Sequence, residues 1–82
     1  MCRSITTLRG LEPPATDGEV HAAARQFVRK LSGIRNPTAN TSEVFEAAVA
    51  DIAVIAQRML DDLPPRKQPP TTVPPNRRGH PL

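Results

Sequence analysis

Three diprolines spaced five residues apart, Pro64-Pro65, Pro69-Pro70 and Pro74-Pro75, set the first limit on what this 82-residue chain can fold into. Proline fixes φ and removes a backbone donor, so this spacing forbids a helix or a central strand and favours extended polyproline II. Residues 64–82 are therefore expected to be a disordered, basic, Pro-rich tail of PPxxx units. Such a tail serves as a spacer, or as a docking ligand for an aromatic-lined groove. Regular structure is confined to one small domain over 1–63. That domain has little material for a core. Trp and Tyr are absent, which leaves Phe27 and Phe45 as the only large rings, and domains of this size bury only about 60% of the surface they expose unfolded.

Within 1–63 the apolar residues repeat with a helical period. Thr16-Asp17-Gly18-Glu19 fits the S/T-x-x-E capping box, in which hydroxyl and carboxylate each accept from the other residue's amide. Val20, Ala23, Ala24, Phe27, Val28 and Leu31 then form one apolar stripe. Arg29 and Lys30 suit the negative end of the helix dipole. Gly33 can take the left-handed conformation that stops a helix, with Ile34 folding back onto the last turn. A helix is thus predicted over about 17–32. Arg35 to Asn40 form a connector, because Pro37 disfavours a helical Asn36. Asn40, Thr41 or Ser42 would cap a second helix over about 41–63, with Glu43 placed to complete a box with Asn40. Its stripe comprises Phe45, Ala48, Val49, Ile52, Ala56, Met59, Leu60 and Leu63, widened by Val44 and Ile55. So broad a face needs more than one partner. The short connector makes the two helices antiparallel neighbours. Ile5, Leu8 and Leu11 predict a short helical arm laid across them. The expected fold class is all-α: an antiparallel helical hairpin with an N-terminal helical arm and a loose tail.

The formal net charge of +3 is uneven along the chain. Residues 1–63 carry seven basic and eight acidic groups, 7 − 8 = −1, whereas Arg66, Lys67, Arg77 and Arg78 stand in the tail without a carboxylate. Four cations fall short of the six to ten or so phosphate contacts of a strong nucleic-acid binder. Arg29, Lys30 and Arg35 at the helix corner, together with the four tail cations, are the candidates for weak nucleic-acid binding. No apolar run reaches the roughly 20 residues that span a bilayer, and the amino end lacks the apolar stretch of a signal peptide. A soluble cytoplasmic protein without membrane attachment is expected.

Candidates for chemistry are few. A single cysteine excludes an internal disulfide. His21 is expected on the polar side of the first helix, and its co-ligands Cys2 and His80 lie near the chain ends, so neither a metal site nor a cofactor is implied. Asp61-Asp62 sit about 100° apart on a helix and form a solvated end, not a paired-carboxylate site. Cys2 is distinctive. Removal of Met1 would leave a 1,2-aminothiol able to capture an aldehyde through an imine and then a thiazolidine, and Arg3 would favour the thiolate. No general base or oxyanion stabiliser is identifiable beside it.

Met1-Cys2-Arg3-Ser4-Ile5, Leu11-Glu12-Pro13-Pro14-Ala15-Thr16 and Gln26-Phe27-Val28-Arg29-Lys30-Leu31-Ser32-Gly33 together resemble a family of short bacterial proteins, common in actinobacteria, known as domain of unknown function 2277. The likeness continues through Pro37, Ala39-Asn40, Phe45-Glu46 and Ala48-Val49 to Leu60-Asp61. It implies a helical protein in which Cys2, Arg3 and the Arg29–Gly33 corner belong to a recurring pattern; members typically open Met-Cys-Arg-Asn-Ile, where this chain has Ser4. The family name supplies no activity. The excess of apolar helix face leads to the expected function, a non-enzymatic interaction module or homodimer that uses Val44, Phe45, Ile52, Ile55 and Met59. Aldehyde capture or redox chemistry at Cys2, and nucleic-acid binding by the cations named above, are the two alternatives.

Overall fold

The computed structural model describes residues 5–66 together with Pro70, Val73, Pro74 and Arg77. Two helices, α1 (Asp17–Ser32) and α2 (Ser42–Asp62), pack against each other as the expected hairpin. Among the described residues there is no strand.

Local chemistry sets the limits of α1. Thr16 is the N-cap in extended conformation; its Oγ1 accepts the Glu19 amide at 3.1 Å while the Glu19 carboxylate accepts the Thr16 amide at 2.9 Å. Both halves of the capping box are present. At the other end Gly33 has φ 74° and donates its N–H to Arg29 O at 2.9 Å, the single bond of a left-handed C-cap. The Ser32 hydroxyl donates to Val28 O and accepts the Ile34 amide, and Ile34 folds back against the core.

The second cap differs from expectation. Thr41 is the N-cap of α2 without a side-chain capping bond, because its Oγ1 accepts the Thr38 amide at 2.9 Å and closes the connector turn instead. No Asn40–Glu43 box forms. At the far end Leu63 terminates α2 in an extended conformation, with its N–H on Met59 O.

The core is narrower than the stripes suggested. Ala24, Val28, Phe45 and Val49 form the buried cluster, with Ile34, Ala48, Ile52 and Ala53 packed against it. Phe27 and Leu31, which the period placed inside, are 44% and 75% exposed. The reason is geometric. One neighbouring helix covers a single row of side chains, here Val20, Ala24 and Val28 at every fourth position, and the flanking row stays in water. Phe45, expected among the interaction residues, is correspondingly a core ring, 3% exposed.

The arm is not helical. Gly10 has φ 88°, and the Leu11 amide reaches back to Leu8 O across a single turn. Gly10 and Pro13 stand too close together for a helix to nucleate between them. The arm is fastened by side chains. Leu11 is buried and shares a hollow with Leu60 and Leu63 at the C-terminal end of α2. Arg9 donates through Nε and Nη2 to Pro64 O at 3.1 and 2.7 Å, which satisfies a carbonyl just beyond the end of α2.

Candidate interaction surface

The side of the hairpin that Phe27 and Leu31 leave open continues onto α2. Val44, Ala48, Ile52, Ile55 and Met59 all fall within about 80° of the α2 circumference at 100° per residue. Val44 is 75% and Ile55 64% exposed. Met59 is more than half exposed, and Ala48 and Ile52 are half-buried at the margin of the core. Leu31, Ile34, Val44, Ala48 and Ile52 border one groove of about 440 Å³ between the helices near the connector. The result is a ridge running about 22 Å from Val44 to Met59 at 1.5 Å per residue, with a hollow beside it and no charged residue within the stripe. Of the five residues expected to mediate interaction, the structure brings Val44, Ile52, Ile55 and Met59 together on this side. Phe45 forms the wall beneath them.

The opposite side, where Val54 is also exposed, carries a polar clamp. Arg25 of α1 meets Glu46 of α2 in a bidentate pair, with Nη1 to Oε2 at 2.9 Å and Nη2 to Oε1, and the same guanidinium lies 5.6 Å from the centre of the Phe45 ring. The hydrogen bonds from Arg25 hold the Glu46 carboxyl below its ordinary value, and those to Glu46 raise Arg25. Sequence reasoning missed this pair. Its signal was a cation and an anion at comparable distances on either side of the bend, where an antiparallel hairpin brings them level.

A second polar cluster joins the tail to the start of α1. Arg77 donates from Nε to Glu19 Oε2 at 2.7 Å and from Nη2 to Glu19 Oε1 at 2.8 Å. Its Nη1 and Nη2 also donate to the carbonyls of Pro13 and Pro14 at 3.0 and 3.4 Å. The Glu19 side chain is only 4% exposed and that of Arg77 20%. The Arg77 hydrogen bonds, followed by that from the Thr16 amide, lower the Glu19 pKa from 4.5 to about 2, against the opposing effect of burial. Pro74 is buried as well, so the tail is not loose at Pro74 and Arg77.

The remaining sequence candidates are dispersed. Arg29, Lys30 and Arg35 are exposed at the helix corner, and Arg66 is exposed beside Gly10. Arg77 is held by Glu19. Cys2, Arg3, Lys67 and Arg78 lie outside the described residues, as does His80. His21 is exposed and borders an open hollow with Asp17, Gln57 and Asp61. The Gln57 Nε2 donates to Asp61 at 3.0 Å while its Oε1 has no partner. Among the described residues no group of three or more His, Cys, Asp or Glu side chains is placed to hold a metal ion, and no helix is long and apolar enough to cross a membrane.

Comparison with known proteins places the chain in a family. No curated protein and no solved structure matches the chain significantly. The model of the family described as an uncharacterised conserved protein, DUF2277, matches residues 1–80. The match spans both helices, the arm, the connector and the diproline units, and the chain belongs to the DUF2277 family.

Proposed function

We propose that this protein is a non-enzymatic, cytoplasmic interaction module that pairs with a second copy of itself through the Phe27–Leu31 and Val44–Met59 side of the hairpin. The observation that supports this reading is a continuous exposed apolar face on a chain whose own core is a four-residue cluster. Isolated apolar side chains on a surface need no explanation, but a contiguous row of them does. A two-fold pairing suits the face because it carries both a ridge and a groove, so each copy can seat its ridge in the hollow of the other. The flanks of the α2 ridge carry Asp51, Arg58 and Asp62, a mixture of signs that two copies can satisfy mutually. A standard interface takes about 800 Å² from each partner, roughly an eighth of the 6374 Å² this chain exposes. Two helices side by side can supply it.

Size-exclusion chromatography with light scattering tests the proposal. The wild-type chain should elute at twice its own mass at micromolar concentration, and Val44→Glu and Ile55→Glu should each elute as folded monomers. A wild-type monomer at high micromolar concentration would overturn it.

A further inference from the structure

The cluster around Arg77 has the properties of a binding site for a guanidinium. Every acceptor in it belongs to the body of the protein: both oxygens of Glu19 and the carbonyls of Pro13 and Pro14. The Glu19 carboxylate does not depend on Arg77 alone for its placement, because the Thr16 amide and the rest of the capping box also hold it. A planar guanidinium meets the two carboxylate oxygens as a fork and has donors left for both carbonyls, which a lysine ammonium cannot match. Beside this socket Pro74 is buried and borders a hollow with Leu8, Ala22, Ala23 and Gln26. The Arg77 amide donates to Pro74 O at 2.9 Å, so one turn presents a proline and an arginine together. Spacing explains which diproline unit is chosen. Three residues after the first proline of each unit stand Lys67, Thr72 and Arg77, and only the last carries the fork that the socket accepts.

We propose that the Glu19 socket and its adjoining hollow recognise Pro-x-x-Arg turns within proline-rich chains, that the chain's own Pro74–Arg77 is the resident ligand, and that the same segment from another protein can replace it. Prolines in such a segment limit its backbone freedom before it binds, so less conformational entropy is lost on forming the turn. The resident segment is tethered ten residues beyond Pro64, which gives it an effective concentration of the order of millimolar. A competitor therefore gains access chiefly when the tether's arginine is missing or held elsewhere. The site shares no bordering residue with the groove at Leu31 and Val44.

The test is fluorescence anisotropy with a labelled peptide of residues 70–80 and full-length protein. The Arg77→Ala chain should bind the peptide, the wild-type chain should bind it at least tenfold more weakly, and the Glu19→Gln, Arg77→Ala double variant should not bind. A peptide carrying Arg77→Lys should lose at least tenfold in affinity for the Arg77→Ala chain. Equal binding of the lysine peptide, unaltered binding by the double variant, or no binding by a folded Arg77→Ala chain would each overturn the proposal. If Arg77→Ala unfolds by circular dichroism, the Arg77→Lys chain replaces it as the open receptor. Titration of the Arg77→Lys chain then provides the second measurement: the arginine peptide should shift the Thr16 and Glu19 amide resonances to their wild-type positions, and its lysine counterpart should leave them in place.

Discussion

The Glu19 carboxylate combines two roles, closing the start of α1 and holding the tail, and the combination makes it acid-sensitive in a defined direction. Its pKa falls from 4.5 to about 2, chiefly through the hydrogen bonds from Arg77. A carboxyl with a depressed folded value contributes stability that is fully present above its unfolded pKa and is lost as pH falls toward the folded one. The window here is about pH 4.5 to 2. Thermal melts followed by circular dichroism should show the wild type losing more stability between pH 5 and pH 2 than Glu19→Gln, which has no carboxyl to protonate. Parallel pH profiles for the two chains would show that the pair does not form in solution. Arg77 also stands near the positive end of the α1 dipole, an unfavourable place for a cation unless a carboxylate intervenes. The two halves of this residue-scale site differed in legibility. Thr16 and Glu19 lie three positions apart, so their mutual capping is written in a four-residue motif. Arg77 comes from 58 positions away, out of a repeat whose composition signals only an extended chain, and no local rule connects it to Glu19.

At the scale of the elements, hydrophobic period identified both helices and the short connector their antiparallel packing, but period overestimated the width of the buried face. Period gives the direction of each side chain around a helix. It does not say how far a neighbour reaches, so Phe27 and Phe45 looked equivalent although the structure exposes one and buries the other. The arm was misread for a related reason: three leucine-type residues at intervals of three suit a helical turn, but Gly10 adopts a left-handed conformation between two of them. Truncation measures the difference between the rings. Phe45→Ala should cost about 3–5 kcal/mol, the usual range for removing a buried ring and leaving a cavity. Loss of Phe45 also removes the surface over which Arg25 lies. Phe27→Ala should cost under about 1 kcal/mol in dilute solution, where no partner covers it and surface substitutions cost little. Urea unfolding at low micromolar concentration distinguishes them, and equal losses for the two variants would restore Phe27 to the core.

At the scale of the whole molecule, the balance between a small core and a large exposed apolar face makes stability a question of concentration. Domains below roughly 70–80 residues seldom obtain more than about 3–5 kcal/mol from one core. The tail latch and the arm add contacts at one end of the hairpin, near Glu19 and Pro64. The Leu31–Val44 end has no such cover among the described residues, and there a second copy would contribute most. If pairing completes the fold, mass action makes each tenfold rise in protein concentration worth about 1.4 kcal/mol per dimer. For a domain of this size that corresponds to a rise of a few degrees in Tm. Ile55→Glu should abolish the dependence on concentration and leave the Tm at the lowest concentration almost unchanged, because Ile55 is 64% exposed in the single chain and a glutamate there meets water. A wild-type Tm constant over a hundredfold range of concentration would mean that the hairpin, arm and tail latch already hold the fold by themselves, and that the apolar ridge serves a partner other than a second copy.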